Sequence, residues 1–244
     1  MLDFTSVRGK IIDAALRLAA TSGWSGLSLG QIAQEAGIGL GEFRKEFSSK
    51  ADILAAYTRM VDDAVLAKVG AADATLSARD RLFDVLMTRF ELMAPQRQGL
   101  RRIASDLRSH PGESLAQFGV AARSIYWMLA AAGIDAEGSR GALRVPGVMS
   151  IYARAFDIWL EDDDAGLART MAALDSRLRR GERFVQRLDD IGAAASRFFS
   201  GLASGRPKTR RDASPAPEDA QPNPGAGQPP QPPSSAEPGP APAI

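Results

Sequence analysis

Apolar residues recur at helical spacing along most of the chain. In the first such segment Ile11, Ile12, Ala15, Leu16 and Ala19 lie mainly three or four residues apart and mark one apolar face. No sustained alternation of apolar and polar residues bounded by turn residues is present, so we expect no β-sheet. The pattern predicts helices over residues 6–21, 28–35, 39–46, 50–69, 77–93, 97–109, 113–132, 141–161 and 164–202.

The second and third predicted helices are short and are joined by a tight turn. Ser28 with Gln31 three residues later is typical of a capping box, in which each residue satisfies a backbone N–H of the other. Gly37 suits the turn because glycine adopts a positive φ without strain. Phe43 and Phe47 are four residues apart and predict the buried face of the second short helix. Two short helices around a Gly-containing turn indicate a helix-turn-helix.

In a helix-turn-helix the second helix enters the DNA major groove, where its exposed side chains meet base edges and phosphates. The positions predicted to be exposed are Leu40, Gly41, Glu42, Arg44 and Lys45. Arg44 and Lys45 are the main candidates, because both pair with phosphate and Arg also donates two hydrogen bonds to guanine. Glu42 is compatible with base contact, since a carboxylate accepts from cytosine N4. Double-stranded DNA is therefore a predicted partner.

The same fifty residues resemble the DNA-binding domain of TetR-family transcriptional regulators. The resemblance consists of a Gly-aromatic turn at Gly23-Trp24, S-x-x-x-I-A-x-x-A-G-I from Ser28, and F-x-x-x-F-x-S-K-x-x-I-L from Phe43. It implies an all-α fold with a three-helix DNA-binding domain and a C-terminal helical domain for ligand binding and dimerisation. It also implies a homodimer, in most members a repressor, that releases palindromic DNA when a small molecule binds.

The family's pattern extends the list of candidate DNA contacts. Lys50 matches the lysine that begins the fourth helix and touches the DNA backbone, and Ser28 matches the Ser or Thr that begins the second helix. The predicted DNA-binding residues are Ser28, Gln31, Leu40, Gly41, Glu42, Arg44, Lys45 and Lys50. Gly39 departs from the pattern by removing a side-chain N-cap, and Leu40, Glu42 and Glu46 place apolar or negative groups on or near the DNA-facing surface. The alternative is a domain that keeps the fold without the affinity.

Part of the second half resembles a different group of proteins. The pattern Y-x-x-x-x-D-x-W-L-x-D-D from Tyr152, followed by L-D-x-R-L from Leu174, is similar to helical proteins that assist ubiquinone biosynthesis by binding isoprenoid lipids. Those proteins share the TetR-type fold. The resemblance implies an alternative function, that of a lipid-binding accessory protein of ubiquinone metabolism without DNA binding.

Large soft side chains at helical spacing fill the predicted helices of this second half. Such residues are usually core, but they also line apolar ligand pockets. The predicted pocket residues are Phe83, Met87, Phe90, Tyr126, Trp127, Met149, Tyr152, Phe156 and Trp159. They predict a small hydrophobic ligand of the isoprenoid or acyl type. The last two long helices are expected to form the dimer, so that two recognition helices lie about one DNA turn apart.

Composition divides the chain and narrows the chemistry. Of 15 prolines, 12 lie at or after Pro207, which predicts a DNA-binding domain over 1–57, a helical domain over 58–204 and a disordered tail over 205–244. The absence of cysteine excludes disulfides and thiolate zinc sites. With no nucleophile–base pair, metal cluster or phosphate loop in the sequence, we predict no enzymatic activity, no metal and no cofactor.

Charge and targeting signals add little. The net charge is +1, and residues 1–50 hold six Lys or Arg against five Asp or Glu, a weak signal for DNA. No signal peptide or membrane-spanning stretch is recognisable, so we expect a soluble cytoplasmic protein. An apolar stripe with a basic flank over 191–211 is typical of a membrane-surface segment, but a packed last helix with a basic linker is the interpretation we favour. The acidic run 161–164 is interpreted as helix-terminal charge, and His110 as a loop residue.

Overall fold

The computed structural model describes residues 2–183, which contain helices and no strand, as expected for an all-α fold. The helices are α1 (Val7–Ser22), α2 (Leu29–Glu35), α3 (Leu40–Glu46), α4 (Lys50–Val69), α5 (Ala78–Met93), α6 (Arg97–Ser109), α7 (Pro111–Ala131) and α8 (Gly138–Leu160). A 3₁₀ turn, Ala94–Gln96, joins α5 to α6. A further helix, α9, runs over 168–183, up to the last described residue.

Most of the predicted helix boundaries are confirmed within one or two residues, and two helix starts were wrong. Helix α8 begins at Gly138 instead of 141. Helix α9 begins at 168 instead of 164, because Asp164 lies before it and accepts a hydrogen bond from the Ala168 N–H at 3.0 Å. The predictions for 184–202, for the membrane-surface segment 191–211 and for the tail 205–244 lie outside the described residues.

The ends of α1 and α2 follow the local signals in the sequence. The Ser6 hydroxyl accepts from the Gly9 N–H at 3.0 Å and caps α1, and Gly23 ends that helix with φ 80°. The capping box of Ser28 and Gln31 is present at the start of α2. Gly37 has φ 69° in the turn that follows, a conformation that a side chain would strain.

The core of the N-terminal domain is apolar and fully buried. Ile11 and Ile12 of α1, Trp24 of the following turn, Ile32 of α2 and Phe43 of α3 are at most 2% exposed. Their burial fixes the three helices against one another by removing apolar surface from water. The exposed side of α3 is thereby held in one orientation.

Two helices connect this domain to the rest of the described chain. Helix α4 follows α3 and continues through the predicted domain boundary at residue 57 without interruption. Helix α6 packs against α1 at Gly99, where any Cβ would overlap the Leu16 carbonyl oxygen. Glycine is therefore required at residue 99 for α6 to approach the backbone of α1 this closely. No helix among residues 2–183 is long and apolar enough to cross a membrane.

Candidate nucleic-acid interface and ligand cavity

Helix α3 presents a polar face opposite its buried phenylalanine. Gly41, Arg44 and Lys45 are exposed, and their spacing of three and four residues places them on neighbouring positions of the helix surface. Leu40 precedes them and is 61% exposed. Within residues 2–183, the side chains of Arg44 and Lys45 form no hydrogen bond or ion pair. Their charges are available to an external anion such as a DNA phosphate.

The two glutamates of α3 differ in their surroundings. Glu46 is directed to α1, where its carboxylate lies 3.4 Å from the Arg8 guanidinium, and Arg8 also lies over the Phe47 ring at 4.6 Å. The negative charge of Glu46 is therefore partly compensated from within the domain. The Glu42 carboxylate is exposed and has no hydrogen-bond or ion-pair partner in the described part of the chain, so it is the acidic group that remains uncompensated on the exposed face of α3.

Ser28 and Gln31 are exposed, but their polar atoms are engaged in capping α2. The Gln31 Oε1 accepts from the Ser28 backbone N–H and hydroxyl at 2.9 Å each, and the Ser28 hydroxyl accepts from the Gln31 N–H at 3.2 Å. Contact with DNA by either residue stays a prediction. In this structure their evident role is to fix the start of α2.

Lys50 lies against the turn between α1 and α2. Its ammonium donates to the backbone carbonyls of Trp24 at 2.9 Å and Ser25 at 3.1 Å, and it lies 5.3 Å from the centre of the Trp24 ring. The predicted contact of Lys50 with the DNA backbone is untested. The structure adds a function that the sequence pattern did not indicate, since Lys50 ties α4 to the helix-turn-helix.

The same turn is held from the other side by α6. The Asp106 carboxylate accepts from the backbone N–H groups of Trp24 at 2.6 Å and Ser25 at 2.9 Å. The Ser25 N–H in particular lowers the pKa of Asp106, partial burial opposes this shift, and the Trp24 N–H adds to it. One dipeptide thus receives an anion from α6 at its N–H groups and a cation from α4 at its carbonyls.

The predicted pocket residues divide into two groups in the structure. Phe90 stacks on Tyr152 with ring centres 5.3 Å apart and on Trp159 at 5.5 Å, and Phe156 stacks on both Tyr152 and Trp159. Phe90 and Trp159 are fully buried. Met87, also on α5, is buried. Phe83 and Met149 are partly buried and pack against the core. These seven residues contribute to the packed interior.

Tyr126 and Trp127 form the second group. They are in edge-to-face contact with ring centres 5.6 Å apart, and Trp127 is 46% exposed. Both line an open cavity of about 1050 Å³ between α4 and α7. The remaining lining residues, which the sequence did not single out, are Thr58, Arg59, Asp62, Asp63, Leu66, Gly119, Val120, Arg123 and Ser124.

A buried polar network lies at the inner side of this cavity. The Asp62 carboxylate pairs with the Arg89 guanidinium and accepts from the Ser124 hydroxyl at 2.7 Å, and Arg89 also donates to the Tyr152 hydroxyl at 3.1 Å. Burial opposes the charge of Arg89, but Tyr152 and Asp62 raise its pKa above the ordinary value. Burial also raises the pKa of Tyr152, which keeps its hydroxyl neutral. No short-range sequence signal identifies this network, because its members come from four different helices.

The acidic run after α8 has the helix-terminal role that we predicted for it. Asp162 is fully buried and accepts from the Thr170 N–H at 2.8 Å and from the Thr170 hydroxyl at 2.7 Å, in the first turn of α9. Burial tends to raise the pKa of Asp162, but the hydrogen bonds from Thr170 lower it overall. His110 lies between α6 and α7, with its Nδ1 2.9 Å from the Asp106 carbonyl oxygen.

These features define a class of protein, an all-α chain with an N-terminal helix-turn-helix. Residues 11–57 match the family model described as bacterial regulatory proteins, tetR family. This part of the chain is therefore similar to the N-terminal domain of TetR-family regulators. No curated protein matches the chain significantly.

Solved structures extend the likeness beyond this domain. A TetR transcriptional regulator from Nitrosomonas europaea is 24% identical, with a TM-score of 0.59 over 72% of this chain and 98% of that one. A TetR regulator from a Rhodococcus species is 17% identical, with a TM-score of 0.51 over 72% and 95%. A tetR-family regulator from Streptomyces coelicolor is 17% identical, with a TM-score of 0.50 over 81% and 93%. At these identities the likeness shows that the chain has the TetR-type fold.

Proposed function

We propose that this protein is a transcriptional regulator that inserts α3 into the DNA major groove and is released from DNA by a small ligand. The observation that carries the proposal is the exposed α3 face with Arg44 and Lys45 unpaired within residues 2–183, while Arg8 compensates Glu46. Side chains with these properties supply phosphate contact and base recognition when a recognition helix docks. The family match over the same residues supports the proposal independently.

The proposed regulator acts as a homodimer and, as in most of the family, as a repressor. Exposed apolar side chains on the last two described helices, Leu143 at 75% and Met171 at 38%, favour a partner surface there. Two-fold pairing places two copies of α3 on successive major-groove turns, about 34–36 Å apart, and selects a palindromic site. Sedimentation at micromolar concentration tests this step, and a monomer at that concentration contradicts it.

The DNA-binding test uses DNA from upstream of the protein's own gene, titrated at two salt concentrations. The wild-type protein is expected to bind tightly with a steep salt dependence, because released counterions drive phosphate binding. The Arg44→Ala/Lys45→Ala variant should lose most of the affinity and flatten the salt dependence. Arg102→Ala/Lys68→Ala removes the same charge from exposed positions on α6 and α4, away from α3, and should bind as the wild type does.

Failure of the wild-type protein to bind any genomic fragment, at either salt concentration, contradicts the proposal. That result favours the alternative function, a lipid-binding accessory protein of ubiquinone metabolism. The resemblance to those proteins in the second half stays a prediction, and a lipid extract of the purified protein tests it directly. Recovery of an isoprenoid in stoichiometric amount is the result that supports it.

A further inference from the structure

The cavity between α4 and α7 carries two cations without a partner. Arg59 projects from α4 and Arg123 from α7, and both line the cavity. Both side chains are exposed, and neither guanidinium forms a hydrogen bond or ion pair with any residue in the range 2–183. Most other arginines of the described chain, by contrast, contact a carboxylate or a backbone carbonyl, as Arg101 does with Glu161. Two free guanidinium groups on opposing helices are suited to hold one anion between them, since each presents a planar fork of donors.

The acidic residues of the cavity do not cancel this charge. Asp62 is already neutralised by Arg89 and accepts a further hydrogen bond from Ser124. Asp63 is exposed and unpaired within the described residues, so it is the one lining carboxylate that faces the cavity with its charge uncompensated. Counting Arg59 and Arg123 against Asp63, with the Asp62–Arg89 pair neutral, leaves a net positive lining.

One wall of the cavity is aromatic. Trp127 is 46% exposed, although tryptophan side chains are usually well buried. The Tyr126 ring contacts it edge to face. Leu66 and Val120 extend the apolar part of the lining. The volume of about 1050 Å³ slightly exceeds the usual range for small-molecule sites, roughly 300–1,000 Å³. A flat apolar ligand body finds a stacking surface here, next to the two arginines.

We propose that this cavity binds an amphipathic organic anion, in which a carboxylate, sulfonate or phosphate lies between Arg59 and Arg123 and a flat apolar body stacks on Trp127. The inference deepens the proposed function, because it names the chemical class of the regulator's ligand, and it rests on that function for its regulatory meaning only. The proposal also adds an anionic group to the small hydrophobic ligand that we predicted from the sequence. Binding of the anion in the cavity does not require DNA and can be measured on the protein alone.

A matched pair of fluorescent probes tests the charge requirement without DNA. Anilinonaphthalene sulfonate carries an anionic group on an aromatic body, and phenylnaphthylamine has the same aromatic body without the sulfonate. The full-length protein should bind the sulfonate about tenfold or more tightly than the neutral amine, since one charge-assisted contact of ~1.4 kcal/mol corresponds to tenfold in affinity. Equal affinity for the two probes overturns the proposal.

Three variants give opposite expected signs for the sulfonate. Arg59→Gln and Arg123→Gln should each weaken binding by about tenfold. Asp63→Asn should tighten binding by about two- to fivefold, because it removes a repelling charge exposed to water. Arg102→Gln, an exposed arginine on α6 outside the cavity, is the matched control and should leave the affinity unchanged. Unfolding temperatures close to that of the wild type establish that the exposed substitutions do not disturb the fold.

Any reversal of these signs contradicts the proposal. Weaker sulfonate binding in Asp63→Asn shows that Asp63 does not repel the bound anion, and unchanged binding in both arginine variants places the probe elsewhere. Failure of the regulatory function is a separate outcome. A protein that binds the sulfonate through Arg59 and Arg123 but never binds DNA retains the anion site and loses the proposed function. A protein that binds DNA but not the sulfonate retains the function and loses the anion site.

Discussion

The N-terminal three-helix domain and the helices that follow it use polar side chains in different ways. In residues 2–57 the interior is apolar apart from the buried Tyr57 hydroxyl, and side chains such as Ser28 and Arg44 cap helices or lie on the surface. The five buried polar or charged residues of the described chain all come later: Asp62, Arg89, Ser124, Asp162 and Thr170. An apolar interior makes the first region a rigid support for α3, whereas buried charges are costly to keep and are typical of a region that also binds or switches.

The largest effect is expected at the buried ion pair of Asp62 and Arg89. Arg89→Met removes the cation and leaves the Asp62 carboxylate buried and unpaired, which should lower the free energy of unfolding by about 3–5 kcal/mol. Urea denaturation measures this loss. Arg102→Met, at an exposed position on α6, is the control and should change the free energy by no more than about 0.5 kcal/mol.

A double variant separates the pair from simple loss of packing. Asp62→Leu combined with Arg89→Met removes both charges, so it should be less destabilised than Arg89→Met alone. A double variant that is less stable than the wild type by the sum of the losses in Arg89→Met and Asp62→Leu indicates that the two side chains do not interact. That result would remove the proposed difference between the two regions.

The second-largest effect on the free energy of unfolding is expected at the contact between α6 and α1. Gly99→Ala places a Cβ against the Leu16 carbonyl oxygen and should separate α6 from α1, at a cost of about 1–3 kcal/mol in the free energy of unfolding. Gly112→Ala in the first turn of α7 meets no atom within 4 Å and serves as the control. Thermal unfolding should show a lower midpoint for the first variant and an unchanged or slightly higher midpoint for the second. Equal midpoints contradict the close packing of α6 on α1.

The smallest effect is expected at Asp106 and depends on pH. Asp106→Ala removes the acceptor for the Trp24 and Ser25 N–H groups and should lower the free energy of unfolding by about 0.5–1.5 kcal/mol near neutral pH. Because folding lowers the pKa of Asp106, its stabilisation is present above the unfolded-state pKa of about 3.9 and is lost as the pH falls through the folded-state value.

Denaturation at several pH values checks this sign. The difference between the wild type and Asp106→Ala should be largest at neutral pH and should shrink below about pH 4. Asp84→Ala, an exposed carboxylate of α5 without a hydrogen-bond or ion-pair partner in the described residues, should show no such trend. A difference that grows on acidification contradicts the assignment of Asp106 as an ionised acceptor.

The helix-turn-helix was predictable because its determinants are local. The Ser28–Gln31 capping box, the positive φ of Gly37 and the burial of Phe43 and Phe47 follow from residues at most four positions apart. The absence of a side-chain cap at Gly39 is also confirmed. Such spacing can be recognised in the sequence without knowledge of the tertiary contacts.

The parts that escaped prediction depend on contacts between distant residues. Arg8 and Glu46 are 38 positions apart, and Asp62 and Arg89 are 27 apart. The sequence predicted that the aromatic residues form one pocket. It does not indicate which of them stack on one another and which line the open cavity. Trp127 differs from Trp159 only in how neighbouring helices cover it, and a periodic pattern does not carry that information.

Guanine methylation interference on a DNA fragment bound by the protein shows whether α3 enters the major groove. Methylation at N7 blocks the major-groove edge of guanine. We expect interference in two half-sites whose centres are about 10 base pairs, or a multiple of that distance, apart. The interference should be lost when Arg44 and Lys45 are both replaced by Ala. Binding that tolerates N7 methylation at every guanine, or an interference pattern unchanged in the double variant, would contradict the entry of α3 into the major groove.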